Sequence, residues 1–193
     1  MMAARRGLVL AIAALGIINS ALGGTAMAAD MENTLYVDVP FGRVVIAMRP
    51  DLAPGHCAQI KALARRGFYD GVPFHRVIDG FMAQTGDPTG TGSGGSGTKL
   101  RAEFSSEKHV RGVLSMARTS DPNSADSQFF IMFGPAPSLD GQYTIWGQVV
   151  SGMEFVDKIK KGDSASNGSV SNPDKIIKMQ VAADADKAGA KGK

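Results

Sequence analysis

The chain has a single cysteine, Cys57, so no internal disulfide can form and packing must hold the fold together. Its three histidines, His56, His75 and His109, are not spaced like metal ligands, and no serine lies in a G-x-S-x-G motif. His56 precedes Cys57, but neighbours in a helix point away from each other, so we interpret Cys57 as a small buried hydrophobic residue rather than a nucleophile. The sequence therefore predicts no metal site, no cofactor and no nucleophilic catalysis.

A strong excess of one charge is also missing. The chain carries 21 basic and 18 acidic residues, a formal charge of +3, and loss of Arg5 and Arg6 with the N-terminal segment would lower it by two, to +1. Nucleic-acid binding needs clustered basic residues. The last basic run, Lys187–Lys193, lies in an Ala/Gly/Lys tail, residues 184–193, that we expect to be disordered. We predict no nucleic-acid partner.

The sequence lacks an apolar run of the ~20 residues that a membrane-spanning helix needs. The run from Leu8 to Ile18 is shorter, follows Arg5 and Arg6, and precedes an A-x-A site at Ala26–Ala28. This pattern predicts a cleaved signal peptide, residues 1–29, with cleavage at Ala28 or Ala29 and no stable membrane insertion afterwards. The paired arginines leave a twin-arginine route open, but the match beyond them is partial and the general secretory route is favoured. The expected location is the periplasm, or outside the cell if the source has one membrane.

The remaining chain, residues 30–183, has the pattern of one globular domain with short strands. It is rich in tight-turn residues, with 24 glycines in the whole sequence. Leu35–Met48 reads as two strands around Pro40-Phe41-Gly42. Asp51–Gly67 and Met153–Lys161 have apolar residues at helical spacing, and Lys175–Val181 reads as a final strand. The sequence predicts a mainly β fold, an antiparallel barrel closed at its ends by two helices.

An unusual stretch runs from Phe74 to Gly95. We predict that it opens as an extended run, in which Phe74, Arg76 and Ile78 share one face and His75 and Val77 share the other. Arg76 is then a lone cation among apolar neighbours, suited to polarise a neutral acceptor such as a peptide group.

A second strand pattern, Ser127–Phe133, is apolar on both faces. Gln128, Phe130 and Met132 point one way, whereas Phe129, Ile131 and Phe133 point the other. One face is therefore expected to fill a core and the other to be covered or to form an apolar site.

Gly90, Gly92 and Gly95 fit the G-x-G-x-x-G pattern of dinucleotide sites. That motif requires a helix to open at the loop, whereas Ser96-Gly97-Thr98 follows here. We interpret the segment as a flexible glycine loop that lets a partner backbone approach closely.

Two motifs, FHRVIDGFMAQTGDPTGTGSGG (74–95) and GVLSMARTSDPNSADSQFFIMF (112–133), closely resemble the signature of the cyclophilin family of peptidyl-prolyl cis/trans isomerases. The resemblance covers about Asp30 to Ala183 and implies a closed β-barrel and a cofactor-free isomerase of X-Pro bonds. It implies that Arg76 is the catalytic residue. It further implies these substrate-binding residues: Phe81, Met82, Gln84, Ala117, Arg118, Gln128, Phe130, Leu139 and Tyr143.

The chain departs from the family pattern at three positions. Ser138 stands where many relatives have a tryptophan, and Trp146 falls elsewhere, so strong cyclosporin binding is doubtful. Tyr143 replaces a common histidine, which keeps an aromatic wall but predicts an altered sequence preference. Arg118 replaces a common asparagine and adds a charge beside the groove.

These observations predict an exported, monomeric isomerase acting on unfolded or partly folded proteins that contain X-Pro bonds. The alternative is a proline-peptide binding module or holdase chaperone that uses the same groove without required turnover.

Overall fold

The computed structural model of the protein describes residues 30–185; the predicted signal peptide and residues 186–193 of the predicted tail lie outside them. The described part has these strands and α-helices: β1 (Thr34–Val39), β2 (Gly42–Met48), α1 (Pro54–Arg65), β3 (Arg76–Ile78), β4 (Met82–Thr85), β5 (Val113–Met116), β6 (Phe129–Met132), β7 (Ile145–Ser151), α2 (Met153–Asp157) and β8 (Lys178–Val181). No helix in residues 30–185 is long and apolar enough to cross a membrane.

The strands form one curled antiparallel sheet in the order β3-β4-β6-β5-β7-β2-β1-β8. Its two ends meet just before β3 and β8, where Pro73 bridges to Lys175 and the Gly71 N–H donates to the Ile176 carbonyl at 2.7 Å. The predicted mainly β fold is confirmed. Closure runs through this short bridge rather than through a full ladder of strand pairs.

The core lies inside the curled sheet. Trp146 is fully buried there and packs edge-on against Phe129 with ring centroids 5.3 Å apart. On α1 the predicted apolar face is buried, and the Cys57 Sγ donates to the Trp146 carbonyl at 3.4 Å. Burial raises the pKa of the Cys57 thiol to about 11, which suits a packed residue rather than a nucleophile.

The N-terminus of α1 is capped from a distance, because Ala53 at the N-cap position has no side-chain acceptor. The Glu103 carboxylate accepts the backbone N–H groups of Gly55 at 3.0 Å and His56 at 3.1 Å, and pairs with His56 Nδ1 at 2.7 Å. Burial works against ionisation of Glu103, but these hydrogen bonds hold its pKa below the usual range.

Two predicted elements are shorter than expected. The second helix ends at Asp157 instead of Lys161, because tertiary bonds capture the following backbone: Lys160 N donates to Asp174 Oδ2 at 2.8 Å and Gly162 N to the Val77 carbonyl at 2.8 Å. β8 starts only at Lys178.

The folded chain continues slightly beyond the predicted domain boundary at residue 183. Residues 182–185 are helical, and Asp184 Oδ2 accepts from Arg65 Nε at 2.7 Å. This contact ties the segment after β8 to the end of α1.

Candidate active site

Strand register brings the main predicted site residues into one row. In the β3-β4 pair Arg76 lies opposite Gln84, and in the β4-β6 pair Gln84 lies opposite Phe130. A guanidinium, an amide and an aromatic ring therefore stand side by side on one face of three adjacent strands.

This row opens onto a cavity of about 540 Å³. Every predicted site residue lines the cavity except Gln128. The lining residues are His75, Arg76, Phe81, Met82, Gln84, Gly90, Thr91, Gly92, Ala117, Arg118, Phe130, Leu139, Tyr143, Ser166, Asn167 and Ser169.

Arg76 is held by neutral oxygens only. Its Nε donates to the Asn167 carbonyl at 3.0 Å, its Nη2 to Asn167 Oδ1 at 3.0 Å, and its Nη1 to Gln84 Oε1 at 3.2 Å. Burial lowers the pKa of Arg76 from its ordinary value, and the guanidinium stays charged at neutral pH. The charge is therefore fixed in place without being neutralised by a carboxylate.

The apolar side of the cavity is a hydrophobic cluster separate from the main core. Met82 and Phe130 form its buried floor, and Phe81, Leu139 and Tyr143 are half-buried around it. The Phe130 and Tyr143 rings meet edge-on with centroids 5.9 Å apart. The predicted split of β6 is confirmed, since Phe129, Ile131 and Phe133 lie in the main core while Phe130 and Met132 lie in this cluster.

Gln128 does not line the cavity itself but lies in the groove beside it. Its Oε1 accepts from Gln84 Nε2 at 2.9 Å, and its Nε2 donates to the carbonyls of Gly92 at 2.9 Å and Gly94 at 2.8 Å. It faces an adjoining groove of about 320 Å³, which shares Gln84, Gly92, Ala117 and Arg118 with the cavity. Gln128 thus orients Gln84 and the glycine loop.

The predicted faces of Phe74 and His75 were wrong. β3 starts only at Arg76, so strict alternation does not extend back to these residues. Phe74 is buried in the main core with Val77, and His75 lines the cavity beside Arg76. His75 is 8% exposed, neither ring nitrogen has a hydrogen-bond partner in residues 30–185, and burial lowers its pKa.

The glycine loop around Gly90–Gly95 is not followed by a helix, and hydrogen bonds to Asp87 hold it in place. Asp87, fully buried, accepts the backbone N–H groups of Thr89, Gly92 and Gly94 at 2.7, 2.7 and 3.1 Å. Burial opposes ionisation, but the bond that the Thr89 hydroxyl donates to Asp87 Oδ1 at 2.7 Å and these backbone bonds outweigh it and lower the pKa of Asp87 to about 2. At Gly92, with φ of 85°, an added Cβ would lie 3.7 Å from the His75 ring, so the loop packs closely on the cavity wall.

A network of buried polar side chains supports the cavity floor, and it could not be predicted because its members are far apart in the sequence. His109 pairs with Asp140 Oδ1 through Nδ1 at 3.1 Å and with Ser115 Oγ through Nε2 at 3.0 Å. The His109 ring stacks on Phe130 with centroids 6.4 Å apart. Because His109 and Ser115 are buried, this polar network supports Phe130 and presents no accessible nucleophile.

Asn167, the main partner of Arg76, was also missed. It lies 91 residues from Arg76 in a polar loop and adopts a left-handed conformation, φ 53°. The Asn167-Gly168 dipeptide indicates a turn, but nothing local indicates where that turn packs. Within residues 30–185, no group of three His, Cys, Asp or Glu side chains is arranged to hold a metal ion.

The fold and the site together define a class. A curled antiparallel sheet presents an apolar cup, the amide side chain of Gln84 and an uncompensated guanidinium, the arrangement suited to a proline ring and its preceding peptide bond. These are the features of a cyclophilin-type prolyl isomerase.

Comparison with known proteins agrees. The family described as cyclophilin type peptidyl-prolyl cis-trans isomerase/CLD matches residues 34–181. A probable peptidyl-prolyl cis-trans isomerase of Brucella suis is 55% identical over 188 residues, covering 90% of this chain and 96% of that protein. The human peptidyl-prolyl cis-trans isomerase-like 3 is 45% identical over 136 residues, covering 68% and 83%.

Solved structures show the same fold. A Cryptosporidium parvum cyclophilin type isomerase, crystallised in the presence of the dipeptide Ala-Pro, has a TM-score of 0.70 and 32% identity, covering 77% of this chain and 98% of that one. The cyclophilin AquaCyp293 of Hirschia baltica has a TM-score of 0.72 and 28% identity, covering 80% and 76%. The chain belongs to the cyclophilin family and is a peptidyl-prolyl cis-trans isomerase acting on proline-containing peptides.

Proposed function

We propose that this isomerase is exported and accelerates the folding of exported proteins, acting as a monomer on unfolded or partly folded chains with X-Pro bonds. The N-terminal segment supports export, because Arg5-Arg6, the apolar run from Leu8 and the Ala26–Ala28 site follow the order of a signal peptide. The location that follows is the periplasm in a source with two membranes.

The activity matches a slow step of folding. Rotation about an X-Pro bond faces a barrier of about 18–20 kcal/mol and takes about 10–100 s unassisted. No bond is made or broken, so the enzyme must stabilise the twisted amide relative to both planar isomers. A millisecond half-time needs the barrier lowered by roughly 5–7 kcal/mol.

We assign three tasks to separate groups: holding the proline ring, donating to the prolyl nitrogen and contacting the flanking backbone. The cup of Phe81, Met82, Phe130 and Leu139 holds the proline ring in an apolar setting. In the twisted amide the prolyl nitrogen regains its lone pair, and the Arg76 guanidinium at the rim of the cup can donate to it. Gln84, oriented by its neighbours, donates to or accepts from the flanking peptide backbone.

The observation that best supports this function is which groups accept hydrogen bonds from Arg76. Its charge is positioned by Asn167 and Gln84 through neutral oxygens, so it remains available to a developing lone pair. A relative was crystallised in the presence of Ala-Pro, and this dipeptide is a suitable probe for the cup of this protein.

The holdase alternative is separated by one variant in two assays. Arg76→Ala is expected to abolish acceleration of a proline-limited refolding reaction while leaving suppression of client aggregation unchanged. If catalysis is dispensable, wild type and Arg76→Ala will restore client folding equally in a strain that lacks the gene for this isomerase. Rescue by wild type alone supports the isomerase role.

Export is tested on the full chain. Expression in a two-membrane host followed by fractionation should place the protein in the periplasm, with a mature N-terminus at Ala29 or Asp30. Retention in the cytoplasm with residues 1–29 intact would contradict the export proposal but leave the isomerase activity standing. Weak cyclosporin binding, expected from Ser138, is measured by inhibition of the same activity.

A further inference from the structure

The two arginines of the cavity differ from most other arginines of the protein. Arg43, Arg49, Arg65 and Arg111 each pair with a carboxylate at 2.6 to 2.8 Å. Arg76 and Arg118 donate only to neutral oxygens. No Asp or Glu of the described chain lines the cavity. The site therefore carries two uncompensated positive charges.

Arg118 is fixed in position by its surroundings. Its Nε and Nη2 donate to the Gln142 carbonyl at 3.1 and 2.9 Å, and its Nη1 donates to the Thr119 carbonyl at 2.8 Å. The guanidinium carbon lies 4.4 Å from the centroid of the Tyr143 ring, a cation-π contact. The second N–H of Nη2 has no partner in residues 30–185, so a donor remains for a ligand.

The location of Arg118 puts this donor on the path of a bound chain. Arg118 lines both the proline cavity and the adjoining groove, which are joined along Ala117. A peptide with its proline in the cup and its neighbours along Ala117 would pass Arg118 within one or two residues, since each extended residue advances about 3.3 Å. In the groove itself, Asp126 is already paired with Lys99 at 3.7 Å and is held by Ser96 and Gly97, so it does not neutralise Arg118.

We propose that Arg118 is a specificity-determining residue that makes this isomerase favour X-Pro peptides with an acidic side chain within two residues of the proline. The proposal rests on the isomerase activity of the same site. A carboxylate there would meet a preoriented guanidinium that has a spare donor and no acidic competitor. A lysine at the same place would be repelled by Arg118 and Arg76 together.

The test is a peptide series in which one residue flanking the proline is Glu, Gln or Lys, placed in turn at each position within two residues on either side. For the wild type we expect kcat/KM at one or more positions to be about two- to fivefold higher for Glu than for Gln, the range of a single half-exposed ion pair. Lys should fall below Gln, and the spread should shrink as ionic strength rises.

Four variants locate the effect. Arg118→Asn should bring the Glu/Gln ratio close to one, Arg118→Lys should retain part of it, and Arg118→Glu should invert the order of Glu and Lys. Arg66→Asn removes the same charge from an exposed position at the end of α1, outside the cavity, and should leave the wild-type ratio unchanged.

Two outcomes would overturn the proposal: equal kcat/KM for Glu, Gln and Lys peptides at every position, or a Glu preference that survives in Arg118→Asn. Failure of the isomerase function itself is distinguishable, because the Gln peptides would then show no catalysis above the spontaneous rate.

Discussion

Asn167 offers a sharp test of how Arg76 is positioned, because this exposed loop residue supplies two of the three acceptors of the guanidinium. Its left-handed backbone, φ 53°, is one that glycine adopts readily. Asn167→Gly therefore keeps the main-chain acceptor and removes only Oδ1. Arg76 retains Gln84 and the residue 167 carbonyl, so it should stay in the cavity but with a looser orientation.

The magnitude follows from the lost bond. A hydrogen bond from a charged donor contributes about 1.5–3 kcal/mol, and water can replace part of it at an exposed position. A loss of about 1 kcal/mol in the transition state corresponds to about a fivefold fall in kcat, with KM little changed because the proline cup is intact. The assay is isomerisation of a neutral Pro-containing peptide, together with the midpoint of urea unfolding.

Asn172→Gly is the matched control. Asn172 is also exposed and left-handed, with φ 50°, but does not line the cavity. Both changes should shift stability similarly, and only Asn167→Gly should lower kcat. Equal kcat in the two variants would refute the positioning role of Asn167.

Two further predictions concern carboxylates that accept backbone N–H groups. Glu103→Gln should lower the free energy of unfolding at pH 7 by about 1–3 kcal/mol, because the cap on Gly55 and His56 is weakened. The folded-state pKa of Glu103 lies below its ordinary value of 4.5, so its contribution to stability is present above that pH and is lost as pH falls through the folded pKa. In urea titrations, the difference in free energy of unfolding between wild type and Glu103→Gln should therefore become smaller at low pH. A difference that does not change with pH would contradict the capping role. Asp87→Asn should raise KM, because Gly92 lines the cavity and would lose its hydrogen-bond acceptor. It should also speed hydrogen exchange of the loop amides. Unchanged KM and unchanged exchange would show that Asp87 does not hold the glycine loop in place. With a pKa of about 2, Asp87 should hold the loop down to acid pH.

The parts of the fold that could be predicted from sequence depend on local periodicity. The helical spacing of Cys57, Ile60 and Leu63 located α1, and the two-residue period of Ser127–Phe133 separated core from cup correctly. The motifs also brought together residues that lie in one cavity, because β3, β4 and β6 are neighbours in the sheet.

The rest depends on contacts between distant segments. Asn167 and Glu103 reach Arg76 and His56 across 91 and 47 residues, and no local pattern encodes such pairings. His75 was predicted on the wrong face because the stretch before Arg76 is not a strand. Its backbone forms hydrogen bonds to distant residues, such as that from Phe74 N to the Asp174 carbonyl. Gln128 was assigned to the groove from the resemblance, and it lines the groove that adjoins the cavity. Its bonds to Gln84 and to the Gly92 carbonyl join distant segments and could not be predicted.

The measurement that bears most directly on the central claim is kcat for Arg76→Ala and Arg76→Lys, obtained by NMR exchange on a saturating neutral Pro-containing peptide. Arg111→Ala serves as control, since that arginine pairs with Asp157 and does not line the cavity. If a charged donor at the cup stabilises the twisted amide, Arg76→Ala should lose about 10²–10³ in kcat, with Arg76→Lys between it and wild type and with KM changing less than kcat. Near-wild-type kcat in Arg76→Ala would show that the guanidinium does not act on the rotating bond.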